Sequence, residues 1–352
     1  MTTRRALLLA LLLAAACAHA PRTEVAYPPE EVTVTPLDRE LAGKNDAELL
    51  AIGTAAAAAG DDARAAAALD RLADLFPGSP HRAEALLGAA RAHARREEWR
   101  LAEARFRTVA REAPASPAGR EATFGVAECA WHQGDRAAAH ATLDALIAQR
   151  DLPATDRVRA LAERGVVELE DGRLDDAEAT LRAALGIADE AGASERLDPY
   201  YPSQAQFYLG EVYRAWFQRA PLDPSKDDPE ALQRALERKA DLLLSAQGHY
   251  LRALKLGDRR WGVAAGARIG DLYEGFRAEL LAAPLPPGLD AADAEVYRAE
   301  LRSEVRVLAT KAISAYEETL ALARNAGVSD VRFLDDAEAS LARLRAAASE
   351  ER

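Results

Sequence analysis

The sequence predicts an all-α protein built as a solenoid, in which pairs of helices stack one behind another along the chain. Three observations support this fold class. Alanine, the best helix former, occurs in runs such as 55–59 and 65–68, and no segment has the pattern of a convincing strand. Small and apolar residues recur every 37 residues between positions 46 and 190. Clusters such as Phe76-Pro77-Gly78-Ser79-Pro80 break the helical pattern at the ends of units.

Composition limits the classes of partner. The chain has 45 basic and 57 acidic residues, which gives a formal net charge of −12 at pH 7. An acidic protein is a poor candidate for binding nucleic acid or an anionic membrane surface. We therefore expect no nucleic-acid partner. The balance of charged and apolar residues is ordinary for a globular chain.

Residues 1–16 are predicted to be a signal peptide. Arg4 and Arg5 precede a continuous apolar run from Ala6 to Ala16. This run is shorter than the roughly 20 residues that a membrane-spanning helix needs. A basic start followed by a short apolar stretch and small residues is typical of a secretory signal.

The segment Leu13-Ala14-Ala15-Ala16-Cys17 resembles a bacterial lipobox. The resemblance implies that Cys17 becomes the N-terminal residue, carries acyl chains and anchors the protein to a membrane. The alternative is an ordinary signal peptide in which Cys17 is incidental. Since Ala18 follows the cysteine, where Asp would resemble an inner-membrane retention signal, we expect sorting to the outer membrane, facing the periplasm. Residues 17–45 are rich in proline and are expected to form an extended tether.

Residues 46–190 contain the repeats with the 37-residue period. Each unit reads as a helix of about 14 residues, a polar turn and a second helix. The positions that fall in phase are Ala65, Ala102 and Ala139; Leu69, Phe106 and Leu143; Leu72, Val109 and Leu146; and, at the turn, Gly60, Glu97 and Gly134.

These features resemble the tetratricopeptide repeat. The family's marks are an apolar–Gly pair in the first helix, here Ile52-Gly53, an early Ala in the second helix, and a late Pro, here Pro77 and Pro114. Later first helices are recognised at 207–213 and 268–273, so about six units are expected. The resemblance implies a right-handed superhelical solenoid whose first helices line a concave groove, where a peptide or helix of a partner binds.

Residues 191–328 are predicted to be divergent units with elongated helices and Pro-rich inserts. One helix is expected over about 229–256, roughly 40 Å long, and a second over about 290–325, roughly 50 Å long. Residues 329–352 are expected to form a C-terminal capping helix, which gives the end of a solenoid a polar surface. This ending is similar to repeat lipoproteins of myxobacterial envelope and gliding-motility complexes.

Catalytic motifs are missing from the sequence. It has no His-Glu-x-x-His pattern, no Gly-x-Ser-x-Gly elbow and no phosphate-binding glycine loop. Cys129 and His132 fall on one side of a helix, but a metal site needs three or four ligands. We expect no enzymatic activity, no metal and no cofactor. The alternative is an enzyme or accessory factor of cell-wall or outer-membrane biogenesis, with a site between the long C-terminal helices.

The expected function is a lipid-anchored scaffold that binds other envelope proteins through the groove. Aromatic and arginine side chains dominate binding energy at protein interfaces, so they are the favoured contacts. For Phe124 and Trp131 the alternative is packing inside the solenoid. The predicted groove residues are Arg91, Arg95, Phe124, Glu128, Trp131, His132, Phe207 and Arg214.

Overall fold

A computed structural model describes residues 35–192, 197–222, 229–285, 288–329 and 331–350. The chain divides into two compact units, one up to Lys44 and one from Asn45 onward. In the first unit, α1 covers Pro36–Leu41. Thr35 caps it, since Asp38 N–H donates to Thr35 Oγ1 at 3.1 Å and Thr35 N–H donates to Asp38 Oδ2 at 2.9 Å. The expected tether over 17–45 is therefore partly helical, and its first residues, with Cys17, lie outside the described residues.

The second unit is helical throughout its described residues, without strands, which confirms the predicted all-α solenoid. The 37-residue period corresponds to helix pairs in which each helix packs against the next one in the chain. The helices are α2 (Asp46–Ala58), α3 (Asp62–Leu75), α4 (Arg82–Arg95), α5 (Trp99–Glu112), α6 (Pro117–His132), α7 (Arg136–Ile147), α8 (Ala154–Glu170), α9 (Leu174–Gly192), α10 (Tyr200–Arg219), α11 (Pro229–Leu256), α12 (Arg259–Ala282), α13 (Ala291–Glu304), α14 (Arg306–Ala326) and α15 (Val331–Glu350).

The first helices of successive units also form a layer of their own. Direct packing joins α2 to α4, α4 to α6, α8 to α10, and α10 to α12. Among these described first helices, α6 and α8 are the exception, because their backbones hardly approach each other and long side chains such as those of Arg159 and Trp131 bridge the gap instead. The layer is therefore opened between the third and fourth units.

A large side chain of a second helix lies against a glycine of a first helix in unit after unit. A Cβ atom added to Gly53 or Gly165 would lie 2.5 Å from the Cγ of Leu69 or Leu181, closer than real Cβ contacts. Glycine is thus required by close approach of the helices at these positions. The same contact recurs at Gly210 with Tyr250 and at Gly270 with Tyr316, whereas Gly125 of the third unit lies against Phe106 of the preceding unit.

The turns between paired helices use one backbone conformation. Gly60, Gly134 and Gly172 all have positive φ, at +76°, +80° and +74°. Glu97 occupies the equivalent position with φ of +60°, and it is the one non-glycine residue of the described chain with positive φ. The left-handed conformation is costly for a residue with a Cβ atom. The second unit therefore carries local backbone strain that its neighbours avoid.

The C-terminal part differs from the prediction at one point. The helix expected over 229–256 is confirmed as α11. The helix expected over 290–325 is instead divided at Val305 into α13 and α14. Leu308 N–H donates to the Val305 carbonyl at 3.0 Å, a tight i to i+3 bond, and the buried, β-branched Val305 lies between the two helices. The capping helix expected in 329–352 corresponds to α15.

The alanine register is tested by enlarging a side chain where two helices meet. Ala102 is fully buried in α5, whereas Ala104 in the same helix is exposed. We expect Ala102→Leu to lower the free energy of unfolding by about 1–3 kcal/mol through overpacking. Ala104→Leu, the matched control, is expected to leave urea melting curves almost unchanged. Equal losses in the two variants would contradict the register.

The strained turn predicts a stabilising substitution. Glu97→Gly is expected to raise the free energy of unfolding by about 0.5–1 kcal/mol, because glycine adopts positive φ without the Cβ penalty. The gain is smaller than the full penalty, since glycine also increases the entropy of the unfolded chain. Gly134→Ala, the reverse change at the equivalent turn, is expected to destabilise. Urea melts that showed the opposite order would contradict this explanation.

Candidate functional site

A cavity of about 410 Å³ lies where the layer of first helices opens, between α6, α8 and α10. Its wall combines aromatic rings, carboxylates and one guanidinium group. The lining residues are Ala127, Glu128, Trp131, His132, Leu143, Arg159, Glu163, Val166, Val167, Glu170, Tyr200, Tyr201, Gln204 and Tyr208. Mixed apolar and polar walls of this kind are typical of binding sites.

One end of the cavity is an aromatic stack. The His132 ring lies parallel to the Trp99 ring with centroids 3.7 Å apart, and it meets the Trp131 ring edge-on at 4.5 Å. Loss of water around the packed imidazole lowers the pKa of His132, which favours the neutral ring at pH 7. Nε1 of Trp131 donates to Glu170 Oε2 at 2.7 Å, so the indole is held by a carboxylate across the cavity.

The guanidinium of Arg159 is fixed on the α8 side. It lies 3.9 Å from the centroid of the Phe124 ring and 5.3 Å from that of Tyr201. Its nitrogens donate to Glu163 at 2.8 Å and to Glu121 at 2.7 Å. Two glutamate side chains therefore pair with this arginine. The aromatic rings beside it fix the orientation of its planar guanidinium group.

Two glutamates of the cavity differ in their surroundings. Glu163 is 23% exposed, yet protein atoms surround the carboxyl, and this desolvation raises the pKa of Glu163 to about 7 against the opposing effect of Arg159. Glu128 is exposed on α6. No hydrogen bond or ion pair joins Glu128 to another described residue, which leaves a free carboxylate at the mouth of the cavity.

The structure brings together three of the predicted groove residues, Glu128, Trp131 and His132, at this cavity. Phe124 and Phe207 require correction, because their side chains are only 1% and 3% exposed. Phe124 packs in the core between α6 and α7 and supports Arg159 from below. Phe207 packs against the rings of Tyr250 and Trp261. Neither ring is accessible to a partner in this conformation.

The three predicted arginines lie away from the cavity wall. Arg91 and Arg95 are exposed on α4, where Arg91 approaches Glu121 at 3.6 Å and Arg95 pairs with Asp62 at 2.6 Å. Arg214 of α10 pairs with Glu211 of its own helix at 2.7 Å. The structure thus gives each of them an intramolecular partner.

Sequence reasoning missed the contribution of the fourth unit and of the start of the fifth. Arg159 and Glu163 are spaced i, i+4 on a first helix, and this pairing signal is visible in the sequence. The tyrosines at 200, 201 and 208 also form a visible cluster. These residues face α6 of the preceding unit. They are therefore not found when groove-facing positions are assigned for each first helix separately.

Cys129 and His132, the pair weighed as metal ligands, lie in different surroundings. Cys129 is fully buried, and this burial raises the pKa of its thiol to about 12. Within the described residues, no group of three or more His, Cys, Asp or Glu side chains is placed to hold a metal ion. Cys129 is thus a small core thiol beneath the aromatic stack.

A second cavity, of about 400 Å³, lies between α11, α12 and α14. Leu251, Leu254 and Leu322 line it together with polar side chains such as Gln247, and the exposed Lys311 and Glu318 also belong to its lining. This is the region between the long C-terminal helices where the alternative enzymatic site was expected.

Over the residues described, no helix is both long and apolar enough to span a bilayer.

The fold and the first cavity together define a class: an all-α repeat protein with a cavity on the layer formed by its first helices. The sequence matches the family model of the tetratricopeptide repeat in three overlapping segments, residues 50–117, 87–151 and 130–202. Residues 50–202 are thus tetratricopeptide repeats, and the cavity lies within these matched units and the helix that follows them. Such repeats support a scaffold for protein–protein interactions.

Several solved structures resemble this chain at low sequence identity. The Cut9-Hcn1 hetero-tetramer of the APC/C is 15% identical, with a TM-score of 0.50, over 85% of this chain and 42% of that chain. The MamA protein is 15% identical, with a TM-score of 0.41, over 60% of this chain and 96% of that one. A tetratricopeptide repeat protein from Parabacteroides merdae is 13% identical, with a TM-score of 0.38, over 83% and 98%. No curated protein sequence matches significantly.

Proposed function

We propose that this protein is a lipid-anchored scaffold of a bacterial envelope complex, without enzymatic activity, which binds a peptide or helix of another envelope protein. The observation that carries the proposal is the cavity between α6, α8 and α10, because it opens on the layer of helices that tetratricopeptide repeats use for binding. Trp131 lies in the aromatic stack at one end of this cavity, held by Glu170 and by the ring of His132. A large aromatic side chain in a preformed cavity is typical of an interface hot spot.

The apolar cavity between α11, α12 and α14 supports the scaffold over the enzymatic alternative. Polar side chains that converge on a pocket would favour catalysis. A groove that is apolar and has charged residues at its edge would favour binding of a partner. This cavity is closer to the second arrangement, since leucines supply much of its wall and the charged Lys311 and Glu318 are exposed. Cell-wall or outer-membrane biogenesis remains compatible with a scaffold that organises other enzymes.

The anchor in this proposal is Cys17, on the inner face of the outer membrane. Its support comes from the sequence, since the short apolar run with Arg4 and Arg5 ends at this cysteine. Several buried acyl chains, at about 0.8 kcal/mol for each CH₂ group, would make attachment effectively permanent. The proline-rich residues that follow provide distance between the membrane and the repeats.

The central test is loss of partner capture in Trp131→Ala. We expect crosslinking in intact envelopes, followed by quantitative mass spectrometry, to show at least tenfold weaker capture of the native partner, about 1.4 kcal/mol. Trp216→Ala is the matched control, since Trp216 is also partly buried but does not line the cavity. Thermal melts of both variants separate loss of binding from loss of fold. Undiminished capture by a folded Trp131→Ala protein would remove the cavity as the binding site.

Anchoring has an independent test. Intact-mass measurement of membrane-extracted protein is expected to give a chain that begins at Cys17 and carries added acyl mass. Cys17→Ser is expected to move the protein to the soluble fraction, because a serine cannot receive the thioether-linked lipid. A processed chain that begins at Pro21 without added mass would exclude lipidation, whatever the result for Trp131.

A further inference from the structure

We propose that the cavity between α6, α8 and α10 binds an arginine side chain of the partner. This inference rests on the proposed function and names the chemistry that the binding site recognises. It follows from three properties of the cavity: its surplus of carboxylates, its aromatic walls and an unsatisfied acceptor in its lining.

Carboxylates outnumber cations in the lining. Glu128 and Glu170 face one guanidinium, that of Arg159, and Glu163, whose pKa is raised to about 7, adds a partial negative charge, while the neutral form favoured for His132 adds no positive charge. Arg159 already donates to Glu163 and, outside the cavity, to Glu121. Its charge is therefore satisfied and is not available to an anionic ligand. The surplus of negative charge selects a cation.

Two of these carboxylates have acceptor capacity to spare. Glu128 has no ion-pair or hydrogen-bond partner among the described residues and is exposed at the mouth. Glu170 uses one oxygen, Oε2, for the Trp131 indole at 2.7 Å and for a long contact with Arg136 at 3.9 Å. Its other oxygen has no such contact. Both glutamates can accept hydrogen bonds from an incoming donor without losing an internal one.

The aromatic walls favour a planar cation. Trp131, Tyr201 and Tyr208 line the cavity, and guanidinium groups stack well on such rings. Arg159 illustrates the chemistry in the same place, since it lies against Phe124 and Tyr201 while it donates to carboxylates. Arginine carries five donors in a rigid plane, whereas lysine presents a compact, strongly hydrated charge. The geometry therefore favours arginine over lysine.

The lining also contains an acceptor without a donor. Oε1 of Gln204 is buried and has no hydrogen-bond partner. Buried polar atoms are nearly always paired, and an unpaired one has a free-energy cost. An arginine in the cavity brings several N–H groups, one of which can donate to this oxygen. An apolar side chain of the partner would leave Gln204 and the carboxylates desolvated without a partner.

The test compares synthetic peptides that differ in one side chain. We would measure fluorescence anisotropy of the purified full-length protein with labelled peptides of one neutral background, each carrying a central arginine, citrulline, lysine or glutamate. Citrulline has nearly the shape of arginine but no charge. We expect the arginine peptide to bind at least tenfold more tightly than the citrulline peptide, with lysine between them and glutamate weakest. The preference is expected to decline with added salt.

Variants assign the preference to this cavity. Glu128→Gln, at an exposed and unpaired position, is expected to reduce the arginine preference to less than threefold without a change in melting temperature. Glu300→Gln on α13 is the matched control, an exposed glutamate outside the cavity, and is expected to retain the full preference. Equal binding of the arginine and citrulline peptides would overturn the inference. So would failure of the arginine peptide to bind at millimolar concentration, or a preference that survives Glu128→Gln.

The result can be separated from that of the proposed function. If Trp131→Ala abolishes capture of the native partner but no arginine preference is found, the cavity is the binding site and only its chemistry has been misassigned. If capture is unaffected by Trp131→Ala, the scaffold site itself lies elsewhere. An arginine preference abolished by Glu128→Gln, together with loss of partner capture in the same variant, supports both proposals.

Discussion

Close approach of a glycine on a first helix to a large side chain on a second helix is the constraint on which the structure depends. Leu69, Phe106, Leu181, Tyr250 and Tyr316 each fill the space beside such a glycine. Because glycine has no side chain, the two helices approach until only the large side chain of one lies between them. The resulting close packing is stabilised by dispersion and by burial of apolar surface. Because such contacts recur along the chain, within several units and, at Gly125 and Phe106, between two neighbouring units, much of the helix stacking follows from one local rule.

The binding cavity arises where this regular arrangement is relaxed. Each helix still packs against the next one in the chain through the third and fourth units, but the backbones of α6 and α8 separate, and side chains such as Arg159 and Trp131 occupy the space between them. The polar groups there are paired in part: Arg159 is fully engaged, whereas Glu128 and Gln204 Oε1 have no partner. Preformed walls with unsatisfied acceptors reduce the entropy that a ligand has to lose and specify what it must donate. The site thus combines a rigid scaffold with an incomplete hydrogen-bond network.

The helices and the register were predictable from sequence because local rules determine them. Spacing alone placed Ala102 and Ala139 where helices meet, and both are fully buried. The site was predictable only in part. Phe124 and Trp131 are both aromatic residues of α6, and which one is buried depends on the distance to α8, a tertiary property. Val305 continues the apolar seam of a single long helix, yet a backbone adjustment divides the helix there. Conversely, the capping pair Thr35 and Asp38 is visible in the sequence, and it marks the start of a helix inside the segment expected to be an extended tether.

The type of large residue opposite the glycine differs between the N-terminal and C-terminal units. The two ends of the solenoid are therefore expected to differ in their resistance to force. In the N-terminal units it is a leucine or phenylalanine, held by apolar contact alone. In the last two units it is a tyrosine whose hydroxyl also crosses to the first helix, from Tyr250 to Glu211 and from Tyr316 to Asp271. Each unit of such an array contacts mainly its neighbours, so units can separate one at a time. If force is applied through an N-terminal attachment, we expect the N-terminal units, held by apolar contacts, to unfold first. The C-terminal units, in which tyrosine hydroxyls add hydrogen bonds between helices, are expected to remain folded.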